Sequence, residues 1–164
     1  MSAEDILDPD YWRNRLLSAR ERHTAIFRCP KDRWERIAKK HKKILEGAIK
    51  PDDAILDAGC GWGRILDLMP AHWHGYYYGV DLCPDFIRIA RDEHPNHTFH
   101  CADLSKELLN RGVTFNLAIC VSFRPMIKRN IGPTMWDIIE RNIRSVASNI
   151  LYLEYDENAE GSFE

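Results

Sequence analysis

Residues 55–63 read Ile55-Leu56-Asp57-Ala58-Gly59-Cys60-Gly61-Trp62-Gly63. An apolar run ends in an acid and opens at once into alternating glycines. The run has the character of a short buried strand. The glycines mark a turn whose main chain takes positive φ and lets a ligand lie directly against it. A helix expected over Gly63 to Leu68 would turn free N–H groups toward the same spot. A small, partly anionic ligand suits that place; the competing reading is a tight strand-to-helix turn with nothing bound.

Working outward, short β-rich runs at 54–58, 76–82, 98–102, 115–121 and 149–155 alternate with helical segments at 63–68, 84–94, 105–110 and 134–146. Such alternation predicts βαβ units and a parallel sheet. Right-handed crossovers then give a doubly wound α/β fold of about five strands, with ligands at the carboxyl ends of the strands. Residues 124–133, carrying Pro125, Gly132 and Pro133, read as a loop. Before the sheet, Asp8-Pro9 offers an N-cap and a first-turn proline for a helix over about 9–22. A second helix follows Pro30, where Trp34, Ile37, His41, Ile44, Leu45 and Ala48 trace one apolar stripe. The chain of 164 residues thus reads as one domain, with N-terminal helices over 1–50, a core over 51–156 and a polar tail over 157–164.

Two more acids close expected strands. Tyr77-Tyr78-Gly79-Val80 ends in Asp81, and Cys101-Ala102 ends in Asp103. A carboxylate at the tip of the strand beside a glycine turn can accept hydrogen bonds from both hydroxyls of a ribose. An acceptor on the next strand can take the exocyclic amine of adenine. Asp103 followed by Leu104 and Ser105 has a second reading, as the N-cap of the following helix. A dehydrogenase would instead show GxGxxG around a pyrophosphate. Here the spacing is GxGxG, and Asp57 in front of it would repel a diphosphate but suits a ligand with an ammonium and a sulfonium.

With DAGCGWG, VDLCPDFI and CADL in this order and spacing, residues 50–156 resemble the class I, Rossmann-like methyltransferases that use S-adenosylmethionine. The resemblance implies that Asp57, Gly59, Cys60, Gly61 and Gly63 cradle the methionine part of the cofactor. Asp81 would hold its ribose, with Leu82 packed on the adenine or ribose face. Asp103 and Leu104 would flank the adenine, and main-chain atoms near Cys120 and Val121 would help bind the amino-acid end.

The sequence departs from that family in two places. Ser122-Phe123-Arg124-Pro125 stands where base-amine methylating members carry Asn or Asp, two prolines and an aromatic, so that activity is not supported. The family's sheet continues beyond its fifth strand to an antiparallel hairpin, whereas here a C-terminally shortened sheet is expected. Its fifth strand would then be an edge, covered by the N-terminal helices or by a second copy in a homodimer.

No residue is singled out as a firm catalyst, because in-line methyl transfer rests largely on positioning and exclusion of water. Ser122, Arg124 and His23 are the weak candidates. Arg124 either grips a carboxylate or phosphate of the acceptor or bonds loop carbonyls. Tyr11 and Trp12 are read as an aromatic lid or as plain core, and Arg20 as an acceptor contact or a solvated helix end. His72 and His74 flank Trp73, but no nearby Cys or acid completes a metal site, and no metal is expected.

Bulk properties restrict the partners. Net charge is -2, yet residues 11–50 hold 13 Lys and Arg against four acids. That surplus reads as the wet face of a helix or as a contact for an anionic partner. Nucleic acid around Lys39, Lys40, Lys42 and Lys43 is admitted but not favoured, since no nucleic-acid motif accompanies them. No run reaches the roughly 20 apolar residues of a membrane span, and the acidic start is unlike a signal peptide. Five cysteines without CxxC spacing read as reduced thiols in a cytoplasmic protein. The expected activity is methylation of a small-molecule acceptor. The rival readings are an interaction module on the same fold and an enzyme that uses the cofactor for another reaction.

Overall fold

The computed structural model describes residues 6–26, 29–106, 112–154 and 162–163. Its first helices are α1 (Pro9–Ser18), α2 (Arg22–Ile26) and α3 (Lys31–Ala48). The sheet region follows with β1 (Ile55–Ala58), a 3-10 turn at Leu66–Leu68, β2 (Tyr77–Asp81), α4 (Pro84–Glu93), β3 (Thr98–Cys101) and β4 (Leu117–Val121). It closes with α5 (Phe123–Asn130), α6 (Pro133–Arg144), β5 (Ile150–Leu153) and β6 (Ser162–Phe163).

The strands lie in the order β3-β2-β1-β4-β5-β6. The first five are parallel; β6 runs antiparallel on β5. This is the doubly wound fold expected, and the order reverses between β1 and β4, where such sheets open a crevice for ligands. Side chains alternate between two cores as the pleat demands. Leu56, Ala58, Tyr78, Val80, Ala118, Cys120, Ile150 and Tyr152 face one core, with Phe86, Trp136 and Ile139 from the helices. Ile55, Tyr77, Leu117, Ile119, Leu151 and Leu153 face the other, against Leu45 and Ile49.

Four local expectations need correction. The first helix does not reach residue 22: the Ser18 hydroxyl bonds back to the Asn14 and Arg15 carbonyls, Ala19 turns extended, and α2 starts afresh. The segment 63–68 is a run of turns ending in one 3-10 turn, because positive φ at Gly61 and Gly63 delays regular helix. Residues 124–133 are not a loop, since α5 occupies most of them. Pro125 is third in that helix, within the first turn, where an N–H has no helical partner to lose. Gly132 alone, at φ 122, breaks α5 from α6.

The fourth correction concerns the edge. Part of the polar tail pairs with β5, Leu151 opposite Phe163 and Tyr152 opposite Ser162, so neither the N-terminal helices nor a second copy is needed to cover that strand. The expected helix over 105–110 falls mostly outside the described residues, as does Tyr155 at the end of the fifth strand.

Candidate functional site

β1 and its glycine turn are tied to β2 by the main chain: Gly59 and Cys60 N–H groups both donate to the Val80 carbonyl, at 2.8 and 3.0 Å. Gly59 takes φ 78, which a side chain would strain. Gly79, opposite Asp57 in the register, is required by space instead. A Cβ there would lie 2.7 Å from the Phe99 ring and 2.9 Å from Cys60 Sγ. The turn therefore rests directly on β2 and carries the Asp81 carboxylate beside it.

A cavity of about 640 Å³ opens over these strand tips. Its floor is formed by Gly59 after β1, Asp81 and Leu82 after β2, Ala102, Asp103, Leu104 and Ser105 after β3, and Val121 and Ser122 after β4. Ile6, Trp12, Arg15, Ile26 and Arg33 come from the N-terminal helices and their connections; Phe123, Pro125, Met126, Arg129 and Asn130 come from α5.

Of the cofactor residues expected from sequence, the cavity brings together Gly59, Asp81, Leu82, Asp103, Leu104 and Val121. The others stand behind it. Cys60 and Cys120 are buried thiols that burial pushes up in pKa. Gly61 and Gly63 shape the turn without reaching the cavity; a Cβ on Gly61 would meet Ile26 at 3.2 Å. Asp57 is 1 % exposed and faces the opposite core, where its Oδ2 accepts the Tyr77 hydroxyl at 2.6 Å. Burial raises its pKa to about 7, against the opposing pull of Tyr77 and of the Arg64 guanidinium.

Asp81 accepts one main-chain N–H on each oxygen, from Gly61 at 2.8 Å and from Cys83 at 2.9 Å. Burial raises its pKa while these bonds pull it down. A carboxylate has about four lone-pair sites, so acceptor capacity remains toward the cavity. Asp103 combines both of its sequence readings. Its Oδ1 accepts the Ser105 N–H at 2.9 Å and hydroxyl at 2.6 Å, as a cap would, yet the residue lines the cavity. Burial alone would raise its pKa, but these bonds and Lys106 at 3.2 Å outweigh it and hold the group low.

The acceptor-side candidates divide in the same way. Ser122 lines the cavity in the left-handed conformation, at φ 51, the one non-glycine with positive φ among the described residues. Its N–H donates to the Leu153 carbonyl, and its buried hydroxyl has no hydrogen-bond partner among the described residues. Trp12 forms part of the wall, with its indole N–H on the Ile6 carbonyl. Tyr11 stands edge-on behind it, at 5.1 Å. Arg124 turns away to lie over the Tyr152 ring at 4.0 Å, near Glu154 at 3.8 Å. His23 stacks on Trp34 beside a separate cleft, and Arg20 is exposed between α1 and α2. His72 Nε2 donates to the Ile49 carbonyl at 2.9 Å, and His74 lies 2.8 Å from Asp52. Among the described residues no three His, Cys, Asp or Glu side chains converge.

Sequence reasoning missed Arg15, Arg33, Arg129 and the whole contribution of α5. The signal was present: Ser122, Pro125, Met126, Arg129 and Asn130 follow helical spacing and line the cavity together. Reading 124–133 as a loop hid it.

Comparison with known proteins adds three findings. A family model described as "Methyltransferase domain" matches residues 55–149. No curated protein matches the sequence. Solved structures are similar in fold: a magnesium protoporphyrin IX methyltransferase from Synechocystis, solved with S-adenosylmethionine, has a TM-score of 0.62 at 17% identity, over 93% of this chain and 76% of that one. A TehB-like S-adenosylmethionine-dependent methyltransferase from Corynebacterium glutamicum gives 0.59 at 20%, over 88% and 73%. The amino pentose methyltransferase CalS10 from Micromonospora echinaspora gives 0.54 at 22%, over 73% and 50%, so this chain spans half the length of that relative.

Proposed function

Because the chain belongs to the methyltransferase-domain family, we propose that it binds S-adenosylmethionine in the cavity at the strand tips and methylates a small-molecule acceptor. The observation that carries this reading is the convergence of Gly59, Asp81, Asp103 and Ser122, from four successive strand tips, on one cavity. The donor set fits the cofactor. Gly59 leaves the main chain open to the methionine part, and Asp81 keeps lone pairs for two vicinal hydroxyls. Asp103, held ionised, accepts an amine; Leu82, Phe86 and Leu104 offer apolar surface to a purine face.

When bound, the cofactor would supply an electrophilic methyl group on a cationic sulfur that is a good leaving group for attack by an acceptor lone pair. The chain's own part is positioning. Ile6, Trp12 and Ile26 give the cavity apolar wall, which favours exclusion of water around a bound acceptor. The Ser122 hydroxyl, buried and without a partner among the described residues, is the group that would accept the N–H or O–H of the incoming acceptor and fix its direction.

Small-molecule acceptors are supported by the cavity's size and largely apolar walls, and by two similar structures named for an amino pentose and for magnesium protoporphyrin IX. Lys39, Lys40, Lys42 and Lys43 do not line the cavity, which gives nucleic acid no support. Among the described residues no helix is long and apolar enough to cross a membrane. None of the five cysteines is in a disulfide among the described residues, which supports a reducing, cytoplasmic setting.

The test is transfer of a radiolabelled methyl group from S-adenosylmethionine into a cell extract. The label should appear in a small, acid-soluble product that resists protease and nuclease. Label confined to protein or nucleic acid would overturn the acceptor class.

A further inference from the structure

α5 presents one stripe to the cavity, and its chemistry is graded. Ser122, at the start, brings an unpartnered hydroxyl; Pro125 and Met126 are apolar; Arg129 and Asn130 close the stripe. Positions i, i+3, i+4, i+7 and i+8 share one helix face. Seven residues at 1.5 Å each set Ser122 and Arg129 about 10 Å apart along the helix.

The Arg129 side chain makes no hydrogen bond or ion pair among the described residues. Arg15, from α1, donates to the neutral Tyr11 hydroxyl at 3.2 Å and the Thr24 carbonyl at 3.4 Å and lies over the Tyr11 and Trp12 rings, with no carboxylate partner among the described residues. The cavity's acids are already engaged: Asp81 by main-chain N–H groups, Asp103 by Ser105 and Lys106, Glu154 by Arg124. Arg15 and Arg129 are therefore two guanidinium groups on the cavity wall with no carboxylate partner among the described residues. The cofactor of the proposed function brings one carboxylate, which one guanidinium can satisfy, leaving a second.

We infer that the methyl acceptor is a small, elongated anion, with an apolar body against Pro125 and Met126, a carboxylate or phosphate at Arg129, and its reacting atom near Ser122. The planar guanidinium fork suits either anion by a two-pronged contact. Arg129 is then the residue that selects the acceptor's charge and measures its length. This inference rests on the methyltransferase reading of the cavity.

The test uses the full chain saturated with S-adenosylhomocysteine and titrated with 4-hydroxycinnamate, which has a hydroxyl and a carboxylate at opposite ends of a flat body. The uncharged amide of the same molecule and phenyl phosphate are titrated in parallel. The acid should bind at least tenfold more tightly than the amide and weaken with salt. R129Q should erase the difference, R129K should restore part of it, and affinity for S-adenosylhomocysteine should stay within threefold. Phenyl phosphate binding that also needs Arg129 would extend the site to phosphates. Equal binding of acid and amide, binding of neither, or loss of S-adenosylhomocysteine in R129Q would overturn the inference, the last by giving Arg129 to the cofactor. If wild-type protein fails to bind S-adenosylhomocysteine, the cofactor reading falls instead, and the acid–amide comparison without it still reads Arg129.

Discussion

Asp81 Oδ2 accepts the Gly61 N–H at 2.8 Å, so the acid at the tip of β2 holds the glycine turn after β1 as well as facing the cavity. Its other oxygen takes the Cys83 N–H. Asp81→Asn would set an amide N–H₂ against one of these donors. The variant should lose about 1 to 3 kcal/mol of stability without ligand, measured by urea unfolding, because a half-buried donor is left unpaired.

Asp57 makes stability depend on pH. Burial first, eased by the Tyr77 hydroxyl, raises its pKa from 3.8 to about 7 in the folded chain. Between those values the folded state holds a proton that the unfolded state has released. The stability gained is full below about pH 4 and is lost as pH rises through about 7. Asp57→Asn keeps an acceptor for Tyr77 but cannot ionise. From pH 5 to pH 8 its stability should rise relative to wild type by on the order of 2 to 4 kcal/mol. Parallel curves would contradict this. His41, driven down to about 4 by burial, has the opposite sign but is common to both proteins.

Gly79→Ala tests the close approach beneath the turn. The added methyl would meet Phe99 and Cys60 Sγ inside 3.0 Å in a packed sheet. Overpacking of this kind costs about 1 to 3 kcal/mol, and denaturant unfolding should show it.

Ser122→Gly should separate stability from function. The left-handed backbone costs a non-glycine residue about 1 kcal/mol, so the melting temperature should hold or rise. Methyl transfer should nevertheless fall about tenfold or more, because the hydroxyl that orients the acceptor is gone. A variant with unchanged turnover would remove Ser122 from the site.

Local pattern made much of this legible. The apolar run through Asp57, the alternating glycines and the acids Asp81 and Asp103 sit at strand ends, and their spacing follows directly from βαβ units. What stayed hidden depended on geometry across the chain. The resemblance gives Asp57 to the cofactor's methionine part, whereas the direction of its side chain depends on the two-residue pleat, which sets it toward Tyr77. Pro125 looked like a breaker, yet in a first turn it costs no helical bond, so α5 and Arg129 escaped notice. Arg124 and Arg129 have the same side chain, and only the phase of α5 decides that the second reaches the cavity.

The most direct test of the cofactor site is calorimetric titration of wild type and Asp81→Ala with S-adenosylmethionine and S-adenosylhomocysteine. Wild type should bind both, and Asp81→Ala, still folded, should bind about 10 to 100 times more weakly, as expected for losing charge-assisted bonds to the ribose. A folded wild type that binds neither ligand, or an Asp81→Ala variant that binds both as tightly, would contradict the account.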